Sequence, residues 1–377
     1  METSVSSLGQ GPGLAWKRNT SSFPPGSLAE LQEWTGGKSD WHGEVEFKQW
    51  NTIGWGVNDD GVLCIRPWEG DTGETGPVTN SNNTPWYSQR SKIRKIDSIG
   101  TIVLNVSSVG LLSSRRFTNL AGLEDWDASN VKNMDSMFFG CSKLTDLRAL
   151  EDWNVSNVTN MHYTFALCSS LTALTGLEDW DVSSVTDMSV MFNSCSNLTD
   201  LRALSRWNVS KVTNMSNMFH SCRKLADLSG LERWNVSNVT NMGNMFNSCS
   251  NLTNLNSIED WNVSKVTNMN SMFFNCSNLT DLSAIKNWNV SNVTNMMLMV
   301  RFCSNLQKIG IPSIANGGKK LVENAKKAEL TTVLPSIVSE DGSIGPYTWD
   351  ELNTEMTTNP DAFQEGTVWV KAEEAAQ

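Results

Sequence analysis

Trp234-Asn-Val-Ser-Asn-Val-Thr-Asn-Met-Gly-Asn-Met-Phe-Asn-Ser-Cys249 is one copy of a pattern that recurs from Trp126 to Cys303. Trp126, Trp153, Trp180, Trp207, Trp234, Trp261 and Trp288 stand 27 residues apart, and so do Cys141, Cys168, Cys195, Cys222, Cys249, Cys276 and Cys303. A fixed period of this size marks a solenoid or array, in which each unit buries its apolar side only by stacking on its neighbours.

Counting the Trp as position 0, this copy places apolar side chains at Trp234, Val236, Val239, Met242, Met245, Phe246, Cys249, Leu252, Leu255 and Ile258. Met242, Met245, Phe246 and Cys249 follow i, i+3, i+4, i+7, which predicts a two-turn helix capped by Thr240 or Asn241. The spacing of three elsewhere fits an arc with one inward residue per short segment, and Leu252-Thr-Asn-Leu255 is the strand candidate. Helices pack at roughly 8–10 Å and strands at about 4.8 Å. Stacking both in one coil forces curvature, with the helices on the convex side. The expected fold is an α/β solenoid: a curved leucine-rich-repeat array of seven 27-residue repeats plus a partial N-terminal repeat, with a β-rich N-terminal cap and a small α+β C-terminal piece.

The repeat Leu-x-x-Trp-Asn-Val-Ser-Asn-Val-Thr-Asn-Met-x-x-Met-Phe-x-x-Cys-Ser-x-Leu resembles the BspA-like leucine-rich-repeat surface proteins of bacteria, over residues 107 to about 310. Gly61-Val-Leu-Cys-Ile-Arg66 followed by Pro85-Trp86 is similar to the segment that often precedes the array in that family. The resemblance implies a secreted or wall-attached protein of adhesion or interaction, at the cell surface or outside the cell. The chain departs from the family in its start, Met1-Glu-Thr-Ser-Val-Ser-Ser, which lacks the features of a signal peptide, and in having no Leu-Pro-x-Thr-Gly sorting motif.

Outside the array the texture changes. Residues 1–30, with Gly9-Gln-Gly-Pro-Gly13 and Phe23-Pro-Pro-Gly26, read as a disordered tail. Residues 31–106 read as a β-rich capping module, with a hairpin turn at Asn58-Asp-Asp-Gly61 and a strand candidate from Ile93 to Val106. The array spans 107–314, its first unit degenerate. Residues 315–377 read as a charged linker and a small C-terminal piece: a short helix near Lys319–Leu330, a capping box at Thr348-Trp-Asp-Glu351, a helix stop at Asn359-Pro360 and a strand at Thr367-Val-Trp-Val370.

The 377 residues carry a net charge of -11. An acidic surface argues against nucleic acid and anionic membranes as partners. No apolar run is long enough for a membrane span. The three histidines, His42, His162 and His220, are scattered, and no phosphate loop, zinc motif or nucleophile elbow stands in the chain. The expectation is therefore a non-enzymatic protein with no cofactor and no dedicated metal site, whose partner is a protein or host-surface ligand.

The seven repeat tryptophans and seven repeat cysteines read as scaffold core, the thiols acting as small hydrophobes. On the helix reading, neighbouring cysteines lie roughly 8–10 Å apart, beyond disulfide reach. The recurring Ser at position 3 and Asn or Asp at position 7 read as turn and cap ladders. The partner-binding candidates are Asp146, Asp200, Asp227, Asn254 and Asp281, between the leucines of the strand candidate, with Glu124, Asp125, Glu151, Asp152, Glu178, Asp179 and Glu259-Asp260 as an acidic edge. Such a strip suits a basic protein surface or weak binding of Ca²⁺ through oxygen ligands, while the plainer reading, which such charge runs favour, is a solvated face. A second functional reading is a carbohydrate-binding module built on exposed tryptophans of the N-terminal region: Trp41, Trp50, Trp55, Trp68 and Trp86. A third is a structural spacer.

Overall fold

Successive 27-residue coils stack in register, and the stacking is visible in one column of parallel β-bridges. Asn133 bridges Asn160, and the series continues through Asp187, Asn214, Asn241 and Asn268 to Asn295. The computed structural model describes residues 47–372. The predicted tail over 1–30, the start of the cap and Trp41 lie outside these residues.

The segment expected to be helical is not a helix. In the coil of Trp234, the N–H groups of Met242, Asn244, Phe246 and Ser248 donate to the carbonyls of Asn268, Asn270, Met272 and Phe274 in the next coil, at 2.7–3.0 Å. The alternate N–H groups, of Met245, Asn247 and Cys249, close local turns onto the carbonyls of Met242, Asn244 and Phe246. A helix would send all of them four residues back within the same segment. Here half are spent between coils, so the segment becomes a run of tight turns. Asn244 (φ 58°) and Ser248 (φ 61°) take the left-handed conformation that such turns demand.

This pattern sets a strand-like rise. Phe219, Phe246 and Phe273 stack face to face with centroids 5.7 and 5.9 Å apart and planes within 3°. A helix needs roughly 8–10 Å of separation, so none fits on this side. The basis for the expected curvature, helices on one side and strands on the other, is therefore absent. Nor is Leu252–Leu255 a strand: Thr253 donates to Ala226 of the preceding coil, and Asn256–Ile258 then forms a 3-10 turn. Among the described residues, α-helices occur only beyond the array.

The apolar columns are buried through the stack. The tryptophans are 0–3% exposed and the Phe, Met, Cys and Leu columns scarcely more. Each indole N–H is satisfied from below, as where Trp234 Nε1 donates to Leu204 O at 3.0 Å. A second ladder runs outside: Thr240 Oγ1 donates to Thr213 O, and Thr267 Oγ1 to Thr240 O.

Before the array, β1 (Lys48–Trp50), β2 (Ile53–Val57) and β3 (Val62–Pro67) form an antiparallel meander whose β2–β3 turn is Asn58–Gly61. β5 (Lys95–Ser98) joins β3 in parallel. The strand candidate Ile93–Val106 is broken at Gly100 (φ 73°) into β5 and β6 (Thr101–Val103). β6 lies between β4 (Thr72–Glu74) and β7 (Trp126–Asp127), all parallel, so the cap runs into the first coil without a break in hydrogen bonding. At the far end, β8 (Asp281–Leu282), β9 (Lys308–Ile311), β11 (Thr367–Lys371) and β10 (Ile337–Ser339) form a mixed sheet. It packs with the short helices α1 (Gly318–Glu323) and α2 (Leu330–Val333) and with α3 (Trp349–Thr358). Thr348 and Glu351 form the expected capping box at α3, Thr348 N donating to Glu351 Oε2 at 2.7 Å.

Candidate recognition face

Seven superposable coils allow sequence variation to be read within one chain. Backbone and core are repeated nearly unchanged, while positions 9, 10, 13 and 14 after each Trp carry unrelated side chains. Coil one shows Asp135, Ser136, Phe139 and Gly140; coil two His162, Tyr163, Ala166 and Leu167; coil seven Met297, Leu298, Arg301 and Phe302. Coils three to six show mostly Ser and Asn, such as Ser216, Asn217, His220 and Ser221 in coil four. These positions lie on the run of turns that replaces the expected helix.

Two properties mark this face. Position 10 and position 14 are left-handed in every coil, from Ser136 (φ 58°) and Gly140 (φ 75°) to Leu298 (φ 58°) and Phe302 (φ 65°). Gly and Asn tolerate that conformation at small cost, whereas the other side chains there hold it against steric strain, most of all the β-branched Val190 and the bulky Tyr163, Leu167, Leu298 and Phe302. The same face also collects exposed apolar groups. Of the large hydrophobic side chains exposed among the described residues, Val106, Leu167 (39%), Met297 (53%) and Phe302 (54%), three stand here. Strain and exposure thus coincide at Leu167 and Phe302.

The N-terminal patch is knit by side chains. Ser136 Oγ donates to Asp135 Oδ1 at 2.6 Å, His162 Nδ1 lies 3.4 Å from Asp135 Oδ2, and the His162 ring meets Tyr163 edge-on at 4.2 Å. Burial raises the Asp135 pKa, but the hydrogen bonds from His162 and Ser136 outweigh it and hold the carboxyl below its ordinary range. The serine bonds the carboxylate and not the imidazole, so this is no nucleophile–base pair. The C-terminal patch has Phe274 edge-on to Phe302 at 5.2 Å, with the Arg301 guanidinium over the Phe302 ring and 3.8 Å from Glu329. Between the patches, His220 is half-buried; burial first, then Arg223, lower its pKa.

The acidic strip is differently built from its sequence reading. Arg148 grips Asp146 with two nitrogens, Nη2 at 2.6 Å and Nε at 3.0 Å, and Arg202 holds Asp200 in the same way. The side-chain bonds from those arginines hold both carboxyls below their ordinary pKa. Asp227 accepts from Ser229 N, Asp281 from Ser283 N and Asn254 from Asn256 N, so the column acts first as a set of turn caps. Arg206 reaches Asp179 at 3.1 Å, Glu178 accepts from Gly176 N, and Glu124 from Gly122 N beside an open groove of about 390 Å³ that Asp146 and Arg148 also line. Asp125, Glu151 and Asp152 are exposed. Alternation of Asp and Arg makes the strip mixed in sign. Among the described residues no three His, Cys, Asp or Glu side chains gather where a metal could be held.

One further expectation is corrected. Trp55, Trp68 and Trp86 are buried and Trp50 is partly buried, packed edge-on against Trp86, so the N-terminal tryptophans whose placement is described form core and no exposed aromatic platform. The cysteines are free and buried. The strand-like rise brings the seven repeat cysteines nearer than a helical spacing would, and each of their Sγ atoms donates to the carbonyl of the preceding coil's phenylalanine or leucine, Cys249 to Phe219 at 3.2 Å. Burial pushes the Cys195 and Cys249 pKa values up to about 12. The candidate face is legible in the sequence as four columns that vary while the apolar positions between them repeat, although positions 20 and 22, on the Asp/Arg strip, vary as well.

The model of the family described as "Mycoplasma protein of unknown function, DUF285" matches residues 111–228 and 199–314. No curated protein matches the chain. A leucine-rich repeat protein of Eubacterium ventriosum is 13% identical, covering 67% of this chain and 92% of its own, with a TM-score of 0.24. A leucine rich cell surface protein of Faecalibacterium prausnitzii is 15% identical, covering 69% and 87%, with a TM-score of 0.26. At such scores neither likeness carries an argument about shape or role.

Proposed function

The chain belongs to the DUF285 family, and on that footing we propose that it is a non-enzymatic recognition protein whose stacked repeats present positions 9, 10, 13 and 14 to a protein partner. The observation that carries this reading is the coincidence of variation, backbone strain and exposed apolar side chains on one face of an otherwise uniform stack. Strained backbone held in place by a rigid surround is typical of binding and switch sites. Clustered Phe, Tyr, Met and Arg is the composition of interface hot spots. Display at the cell surface and a role in adhesion rest on the resemblance of the repeat to BspA-like surface proteins. Among the described residues no helix is long and apolar enough to cross a membrane.

The test compares two variants immobilised on beads and exposed to solubilised host-cell surface proteins. Leu167→Asn/Phe302→Asn alters the face, and Asp200→Lys/Asp227→Lys alters the strip. Loss of capture by the first with retention by the second is expected. Capture of the same partners by the face variant sinks the reading, and capture lost only by the strip variant moves recognition to the Asp/Arg column.

A further inference from the structure

We propose that the face pairs with a second copy of this chain, antiparallel, with coil two of one copy on coil seven of the other. This rests on the recognition reading above and names the partner.

The face is self-complementary about its middle. A two-fold axis lying in the face and crossing it between coils four and five sets each position opposite the same position of the coil reflected through that centre. Leu167 then meets Phe302, both exposed at position 14 and both left-handed. Tyr163 meets Leu298, and His162 meets the exposed Met297. The centre places Ser216, Asn217, His220 and Ser221 against Asn244 and Ser248, with Gly243 and Asn247 buried beneath them. Amides and hydroxyls both donate and accept, so such a layer can satisfy itself.

The one charge in coil one's share of the face, Asp135, already bonded by Ser136 and His162, meets an opposite charge as well. Leu298 N donates to Lys327 O, as position 10 elsewhere donates to position 9 of the next coil, while Val300 N donates to Ala328 O, one residue short of the two-residue step the coils keep. By the Leu298 bond Lys327 stands where position 9 of a further coil would fall, and it is exposed. Reflection through the centre sets it opposite Asp135, position 9 of coil one. Glu329, nearby, already pairs with Arg301.

Charge also selects this face over the others. Two copies, each carrying -11, repel. In coils three to six the four positions carry no Asp, Glu, Lys or Arg. Approach on this strip keeps the acidic edges apart. Seven coils at about 4.8 Å give a strip about 34 Å long; at about 15 Å across it buries about 1,000 Å² in total, the size of a transient contact. A weak, reversible dimer is the expectation.

Sedimentation velocity of the full chain over a concentration series reads the proposal directly. The wild type should shift from monomer to dimer at high micromolar concentration. Leu167→Asn/Phe302→Asn should abolish the shift while circular dichroism shows the fold intact, because Asn suits the left-handed position. Lys327→Asp alone should weaken the dimer about fivefold or more, the contact being repeated by symmetry. Asp135→Lys combined with Lys327→Asp should restore it. A chain monomeric at every concentration overturns the proposal, as does a dimer indifferent to the face variant or a charge swap without rescue. If the chain stays monomeric while Leu167→Asn/Phe302→Asn still loses capture of host proteins, the self-pairing falls and the recognition face stands.

Discussion

Excision of Asn208–Trp234 removes one whole period and joins Trp207 to Asn235. The flanking coils then meet with their hydrogen-bonding pattern intact: Phe192 comes onto Phe246, and the Cys249 thiol faces the Phe192 carbonyl as it now faces that of Phe219. What is lost is one coil and one interface. At roughly 0.05–0.15 kcal/mol per residue, 27 residues correspond to about 1.4–4 kcal/mol. Excision of Val209–Trp234, one residue fewer, leaves the next coil out of step, so that every inward side chain and inter-coil N–H downstream is misplaced by one at the junction. That variant should lose the stacking interface as well, and so at least about twice as much. Urea unfolding followed by circular dichroism separates the two, with the m-value of the whole-period deletion falling only in proportion to the chain removed. Equal destabilisation by the two deletions, or failure of the whole-period variant to fold, would refute stacking by hydrogen-bond register.

Other expectations concern titration and reactivity. The repeat thiols, buried and with the Cys195 and Cys249 pKa values near 12, should resist alkylation at neutral pH until the chain unfolds, with labelling that follows the global transition. Rapid labelling of several thiols in the native protein would contradict the core placement. The Ser339 hydroxyl, then the backbone N–H and hydroxyl of Ser343, lower the Asp341 pKa to about 2. Because the folded value lies below the unfolded one, the stabilisation is present above pH near 4 and is lost as pH falls toward 2. NMR titration of that carboxyl should show the depressed midpoint, and Asp341→Asn should flatten the acid limb of stability; an ordinary midpoint would remove the turn from the account.

Much of the scaffold was legible because burial repeats. The Trp, Val, Met, Phe, Cys and Leu columns could be placed inside from their period alone. Asn58–Gly61 and Thr348–Glu351 follow from local turn and cap chemistry that needs no tertiary knowledge. The helix expected at Met242–Cys249 failed for a definite reason: inward residues at i, i+3, i+4 and i+7 are produced equally well by consecutive turns, and periodicity cannot show where an N–H is spent. Once that segment is extended between coils, the cysteine spacing and the curvature argument change with it. The left-handed sites were hidden because Tyr163, Val190 and Leu298 are residues that normally avoid them, and only the framework of neighbouring coils imposes the conformation. The mixed sign of the acidic column was not legible from its carboxylates alone, because Arg148 and Arg202, two residues along, fold back onto Asp146 and Asp200.

The directions of the hydrogen bonds carry one more consequence. In the coil of Trp234, Met242, Asn244, Phe246 and Ser248 donate forward to the next coil, while Thr240, Asn241, Asn251 and Thr253 donate backward to the preceding one. Peptide dipoles on the two sides of the coil therefore oppose one another. An α-helix sums its dipoles and gathers partial charge at its ends; this stack cancels them coil by coil. Adding or removing a period leaves the ends electrostatically unchanged, so the length of the array can vary without any new demand on the groups that cap it.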